Sequence, residues 1–431
     1  MTLTQELGCA PIQEFEEYDL IGFPRLVRLN PNIPWKTRGN GAICLRFGEG
    51  RGRRTLVCRI GRKEFWAFQR GCGDINPRDL EDRVAEVVET YSHIEDENTN
   101  PAFVILKRKP PPSLYWRAVR SVVELEEVKR LALERGSYRL YKNGRGLIGA
   151  TSAISWRPRD RTFEIIAYRD RGKWGTRREL QKDSVKAMDR KFRSTFNNYD
   201  CEEDHIAIAP NSPCPVLFGI RGDNPGDLLP ALSMIRGEKT QRWTIFLTNQ
   251  GTDEHLVRRR IRNINRHESV ILKGRVTKNP KFLEGGHVVF EISDGDRIDC
   301  TAYEPSKNFR KVASHLSKGD ELTVYGSVRE EPRTINLEKM LIHSLVSIEQ
   351  KIENPKCPRC GKSMKSSGSN AGYRCRRCHT RAEEGKARKV PIQRPISVGL
   401  YEPPVSARRH LSKPLKRIQN GFTFSRFYQP S

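Results

Sequence analysis

The chain of 431 residues is too long for one ordinary hydrophobic core, so roughly three or four domains are expected. It carries 78 Lys and Arg against 52 Asp and Glu, a formal charge of +26, which points to a polyanionic partner. A hydrophobic content of 36% supports folded modules, and no stretch approaches the ~18 apolar residues of a transmembrane helix, so no membrane partner is expected.

In chain order, residues 1–20 hold Glu6, Glu14, Glu16, Glu17 and Asp19 and no basic residue, so no secretory signal is expected there. Residues 21–42 read IGFPRLVRLNPNIPWKTRGNGA. Pro24, Pro31 and Pro34 stiffen this segment without demanding ladder hydrogen bonds. Gly39 and Gly41 let the backbone approach a ligand closely. Arg25, Arg28, Lys36 and Arg38 on such a frame suit phosphate, although a basic loop also simply faces water. Residues 42–47 and 54–60 are expected as the strands of a hairpin. Asn76 and Pro77 open a helix in which Leu80, Val84, Val87, Val88 and Tyr91 share one face. A strand at 103–106 and a Lys/Pro-rich boundary complete a first α/β domain at 1–112.

Residues 113–262 read as an α+β module of ferredoxin type. One helix is expected from Ser113 towards Gly136, strands at 162–168, 206–209, 216–220 and 242–247, and helices from Asp183 and from Asn224-Pro225. Asp223 is a candidate cap for the last of these. Residues 263–349 alternate like a five-stranded OB barrel, with a helix at 309–316 between the third and fourth strands. Such a barrel is either purely structural or a nucleic-acid binder. At 350–385, Cys357-x-x-Cys360 and Cys375-x-x-Cys378 have the spacing of a closed, structural four-thiolate Zn²⁺ ribbon. The scattered remaining cysteines suit a reducing, cytoplasmic setting. Residues 386–431 hold ten Lys/Arg and one acid, Glu402, and read equally as a disordered basic tail or a docking segment.

Residues 21–42, with TFNNYD at 195–200, IAPNSPCPVLFGIRG at 208–222 and IFLTNQGTDEH at 245–255, resemble the archaeal tRNA(Ile) agmatinylcytidine synthetase family. The likeness runs through the barrel and the ribbon. It implies a multidomain α+β fold: an N-terminal kinase-like domain, a ferredoxin-like domain, an OB-fold and a zinc ribbon. It also implies a reaction on the tRNA(Ile) that bears a CAU anticodon. In it, agmatine replaces the C2 oxygen of the wobble cytidine, with ATP consumed to AMP and Mg²⁺ accompanying it. Lys36, Arg38 and Asn40 are then the catalytic candidates. Arg25, Arg28, Asn30, Lys36, Thr37, Arg38, Gly39 and Gly41 would cradle phosphate. Asn197, Asn198, Asp200, Ser212, Pro213, Cys214 and Gly219 would hold agmatine, although Asp200 equally suits a turn.

The family pattern also includes an early Gly-Ile-Asp-Asp-Thr-Asp motif, the natural Mg²⁺ ligands, followed by a threonine that becomes phosphorylated. Residues 1–7 do not match it, and Thr2 and Thr4 fit that threonine poorly. The expectation is either a start placed too far downstream, which is the favoured reading, or a defective copy, with weak or absent activity and retained tRNA binding. The rival readings are a non-catalytic OB-fold and zinc-ribbon binder, and a nuclease; the latter is disfavoured by the lack of a dense acidic cluster for two metals.

Overall fold

The computed structural model describes residues 10–36, 40–72, 75, 77–92, 94, 99–212, 214–368 and 371–419. Thr2, Thr4, Thr37, Arg38, Gly39, Asn76 and Pro213, singled out above, lie outside the described residues. Nine strands form the central sheet. Asp19–Ile21, Lys63–Cys72, Phe47–Ile60, Arg242–Thr248, Thr162–Tyr168, Val216–Gly222 and Thr195–Phe196 lie side by side in that order. Arg25–Arg28 joins Arg242–Thr248 in parallel and carries Gly41–Cys44 antiparallel on its other edge. Strands from both sides of residue 113 therefore share one sheet.

Thr162–Tyr168 is buried at all seven positions, because both faces of the sheet are covered. Phe163, Ile165 and Ala167 meet Val185 and Met188 of helix Lys182–Lys191 and Leu228 and Leu232 of helix Pro225–Met234. Ile166 and Tyr168 pack on the opposite side with Leu26, Val57 and Phe246. Asn224 caps the second helix by accepting from the Gly226 amide at 3.0 Å, and Pro225 occupies its first turn. Asp223 instead pairs with Arg417, from the far end of the chain.

Two expectations change. The hairpin is Phe47–Ile60 with Lys63–Cys72, turning at Gly61 with φ +59°, while Gly41–Cys44 pairs elsewhere. Half of the Phe47–Ile60 strand is Gly, Glu and Arg on an exposed ribbon, so it carries no apolar alternation to read. The single helix from Ser113 is two, Pro112–Arg120 and Leu125–Leu133, because Ser121 turns extended. These pack with Gly146–Ser155 around Tyr115 and Trp156.

The barrel strands are Ser269–Phe282, Val288–Ser293, Arg297–Ala302, Glu321–Arg329 and Thr334–Ser344, with helix Asn308–Ser314 between the third and fourth. Their inward residues form one apolar core. Gly399–Tyr401 adds an edge strand to Thr334–Ser344, and the chain then runs back over the central sheet to helix Leu415–Gln419. None of the described helices is long and apolar enough to cross a membrane.

Candidate active site

The segment at 21–42 is fastened by its asparagines. Asn30 is 1% exposed, and its amide donates to the His267 carbonyl at 3.0 Å. Asn32 donates to the Glu268 carbonyl and to Ser269 Oγ, each at 3.0 Å, and accepts from Arg409 at 3.0 Å. Asn40, at φ +29°, donates to the Asn30 carbonyl at 2.7 Å and closes the loop. Arg28 is buried, its amide and carbonyl both held by Asn249 at 2.8 Å. Asn30 and Arg28 therefore lie on the protein side of the loop. Gly41 packs closely on Arg28: a Cβ there would stand 3.2 Å from Arg28 Nη1, so that guanidinium would have to give by a few tenths of an ångström.

On the other side of the loop is a cavity of about 830 Å³. Arg25, Lys36, Asn40 and Gly41 line it, joined by Arg46, Lys107, Lys109, Arg145 and the glycines Gly146 and Gly149. Among the described residues lining it there are six cations and no carboxylate. Arg25 donates to the Trp156 carbonyl at 3.1 Å and Arg46 to the Gly71 carbonyl at 3.3 Å, so carbonyls rather than acids steady these guanidiniums. Burial, then the charge of Arg409, holds the Lys36 ammonium below the ordinary lysine value. Burial, then Arg25, Arg157 and Arg46, does the same to Lys109. A pocket of this size and sign suits a nucleoside polyphosphate. Sequence reading missed Arg46, Lys109 and Arg145, which are near it only in space.

The agmatine candidates are more dispersed. Asn197, at φ +56°, accepts from Arg408 at 2.8 Å. Asn198 is buried and donates to Asp189 and to Thr195 Oγ1, each at 2.8 Å; its Oδ1 is without a hydrogen-bond partner. Asp200, 2% exposed, caps its own turn through the Glu202 amide and accepts from Ser406 Oγ at 3.1 Å. The loop around Ser212 and Cys214 is organised by Arg178, whose guanidinium donates to the carbonyls of Pro210, Ser212, Cys214 and Val216 at 2.6–3.0 Å. Cys214 is buried at 1%. Gly219 faces Glu164, whose Oε1 would lie 2.9 Å from an added Cβ. Glu164 pairs with Arg221 at 2.9 Å and accepts from Gln250.

The motif at 245–255 joins the modules. Asn249 also donates to the Tyr115 hydroxyl at 2.7 Å, and that hydroxyl donates to Glu254. Burial pushes the Glu254 carboxyl up to about 7. His255 Nε2 lies 2.9 Å from Glu338 on the barrel, and Arg409 lies 3.2 Å from the same carboxylate. Despite burial, these charges pull Glu338 down to about 2. Asp253 takes the fully buried Lys339 and the Lys413 amide. Arg417 spans Asp160 and Asp223 at 2.9 and 2.8 Å, and Lys413 reaches Asp160 at 2.9 Å. The C-terminal segment is thus a charged seam between sheet and barrel.

At the ribbon, the Sγ atoms of Cys357, Cys360, Cys375 and Cys378 all lie within 4.8 Å of one another. Four thiols converging so closely fit a tetrahedral Zn²⁺. Met364 and Tyr373 cover the cluster, as suits a closed structural site.

Family models match almost the whole length: the TiaS TCKD domain at 4–144, the TiaS FLD domain at 144–255, an OB-fold nucleic acid binding domain at 270–344 and the TiaS C-terminal zinc ribbon domain at 354–396. The tRNA(Ile)-specific 2-agmatinylcytidine synthetase TiaS of Methanocaldococcus jannaschii is 40% identical, covering 92% of this chain and 91% of its own. Among solved structures, a complex of TiaS with its tRNA(Ile) and ATP superposes with a TM-score of 0.79 at 37% identity, covering 96% of this chain and 93% of that one. A complex of TiaS with the same tRNA, AMPCPP and agmatine gives 0.77 at 34% identity, covering 96% and 93%. The expected order of kinase-like, ferredoxin-like, OB and zinc-ribbon modules is the order found, and the chain belongs to the tRNA(Ile) agmatinylcytidine synthetase family.

Proposed function

We propose that this chain is an ATP-dependent ligase that joins agmatine to C2 of the wobble cytidine of the CAU-anticodon tRNA(Ile), forming agmatidine and so permitting AUA decoding. The carrying observation is the likeness along the whole chain to TiaS structures holding tRNA(Ile) with ATP and with AMPCPP and agmatine. The cation-lined cavity supplies the matching chemistry. No feature favours a non-catalytic binder, since a clamp has no use for that cavity.

A carbonyl oxygen is a poor leaving group. Transfer of a phosphoryl group from ATP to the C2 oxygen makes it a good one; the agmatine amine then adds at C2, loses a proton, and the C2–O bond breaks to release phosphate, while the other outer phosphoryl group passes to water as a second phosphate, so that ATP ends as AMP. Such transfer is mostly positioning and charge stabilisation. Lys36, with Arg25, Arg46 and Lys109 beside it, holds the phosphates, Arg38 completes the set, and Asn40 and Gly41 present the loop backbone. Arg28 and Asn30 act behind that loop. Asn197, Asn198, Asp200 and the loop of residues 212–219 form the agmatine side. Mg²⁺ would accompany ATP, and the described lining residues offer it no carboxylate. Zn²⁺ on the four cysteines keeps the ribbon folded for RNA binding. The cysteine pattern supports a cytoplasmic setting.

The test is incorporation of radiolabelled agmatine into this tRNA(Ile). ATP-dependent labelling that disappears when the wobble cytidine is replaced by uridine supports the reading. Labelling without ATP contradicts it.

A further inference from the structure

By sequence alone, Trp35, Trp116, Trp156 and Trp174 could each stack on a nucleobase, although a tryptophan is more often a core residue, and the structure separates them. Trp156 is fully buried against Tyr115. Trp116 is covered by Arg120 and Arg159, whose guanidiniums lie 4.3 and 5.0 Å from its ring. Trp174 is half-buried and does not line the cavity. Trp35 lines it and keeps 56% of its surface exposed.

The setting of Trp35 is built rather than incidental. Arg145 lies over its ring at 4.5 Å and occupies one face. His267 stands 6.2 Å away, its ring tilted at 59°, on the chain leading into the first barrel strand. The loop beneath is fixed by the Asn32 bonds to Glu268 and Ser269. Leaving an indole in water forfeits the burial that its area would otherwise gain. A rigid aromatic between an OB barrel and a cationic cavity is the arrangement that receives an unstacked base, because every base has a π-face.

We propose that Trp35 is the stacking platform for the wobble base of the RNA after it leaves the anticodon stack, with Arg145 backing the indole. This rests on the functional reading above. A base held there sits at the cavity mouth, where cations lining the interior can hold a phosphate donor.

The experiment uses full-length protein and the CAU-anticodon tRNA(Ile) carrying pyrrolocytidine, a fluorescent cytidine analogue, at the wobble position. Wild type is expected to quench the probe on binding. Trp35→Ala is expected to lose most of that quenching and about tenfold in kcat/KM for tRNA, as removal of one base–aromatic stack does. Trp35→Phe keeps most of both, and KM for ATP is unchanged in either variant. Full quenching by Trp35→Ala overturns the proposal. So does a raised KM for ATP with the probe signal intact, which would make Trp35 the adenine platform. Trp35-dependent quenching in a wild type that incorporates no agmatine would sustain the platform and overturn the functional reading instead.

Discussion

The cavity and the C-terminal seam use the same types of basic residue in opposite ways. In the seam, Arg417, Lys413, Arg409 and Lys339 each face a carboxylate. In the cavity, Arg25 and Arg46 rest on carbonyls, and the described lining residues include no acid. Removing a charge from water costs several kcal/mol unless a partner offsets it. The seam supplies its partners from within the chain, so it contributes cohesion. Arg25 and Arg46 meet no such partner among the described lining residues, so their potential is available to an anionic ligand. A net charge of +26 says nothing about which cations are of which kind.

The largest expected change comes from breaking the seam. Arg417→Ala strands Asp223, leaves Asp160 to Lys413 alone, and should cost about 3–5 kcal/mol in denaturant unfolding, the range for removing one partner of a buried ion pair. Agmatine incorporation at low temperature should persist. A stability within about 1 kcal/mol of wild type, the scale of an exposed pair, would show that the seam is not cohesive.

Two buried glutamates sharpen the comparison through pH. Glu338 is held at about 2 against an ordinary 4.5, so the folded state prefers its charged form. Its contribution is complete above about 4.5 and is lost as pH falls through about 2. Glu254 is pushed up to about 7 from 4.5, so the folded state prefers the protonated form. Its contribution is complete below about 4.5, falls as pH rises, and is gone above about 7. Glu338→Gln should therefore lower Tm at neutral pH, with the deficit vanishing towards about pH 2. Glu254→Gln should raise the unfolding free energy at about pH 8, by on the order of 3 kcal/mol at most, and do little at about pH 4. Slopes of the reverse sign would refute these environments.

The fold was readable where local chemistry decides it. Asn224-Pro225 opens a helix, alternating apolar residues mark the barrel, and paired cysteines mark the ribbon. The 47–60 strand was not, because an exposed Gly/Arg ribbon lacks periodicity. Half of the cavity was legible, in the 21–42 segment. Arg46, Lys109 and Arg145 reach it only through tertiary packing. Arg178 had no motif at all, although it organises the loop behind Cys214 through four carbonyls. The 245–255 segment stood out by resemblance, yet its pairing of Asp253 and His255 with Lys339 and Glu338 spans some eighty residues and leaves no local trace.

The central claim is that the cavity cations act on phosphate while most of the grip on the RNA, the wobble base apart, lies elsewhere. Its most direct test replaces Lys36 and Arg38 together by Met and follows agmatine incorporation and tRNA(Ile) affinity on the same preparation. The account predicts a loss of turnover of at least about 100-fold, the usual scale for removing a transition-state electrostatic donor. It also predicts a tRNA Kd within about threefold of wild type, since so basic a chain offers many other phosphate contacts. Turnover that survives the double substitution, or an equal collapse of tRNA binding, would contradict it.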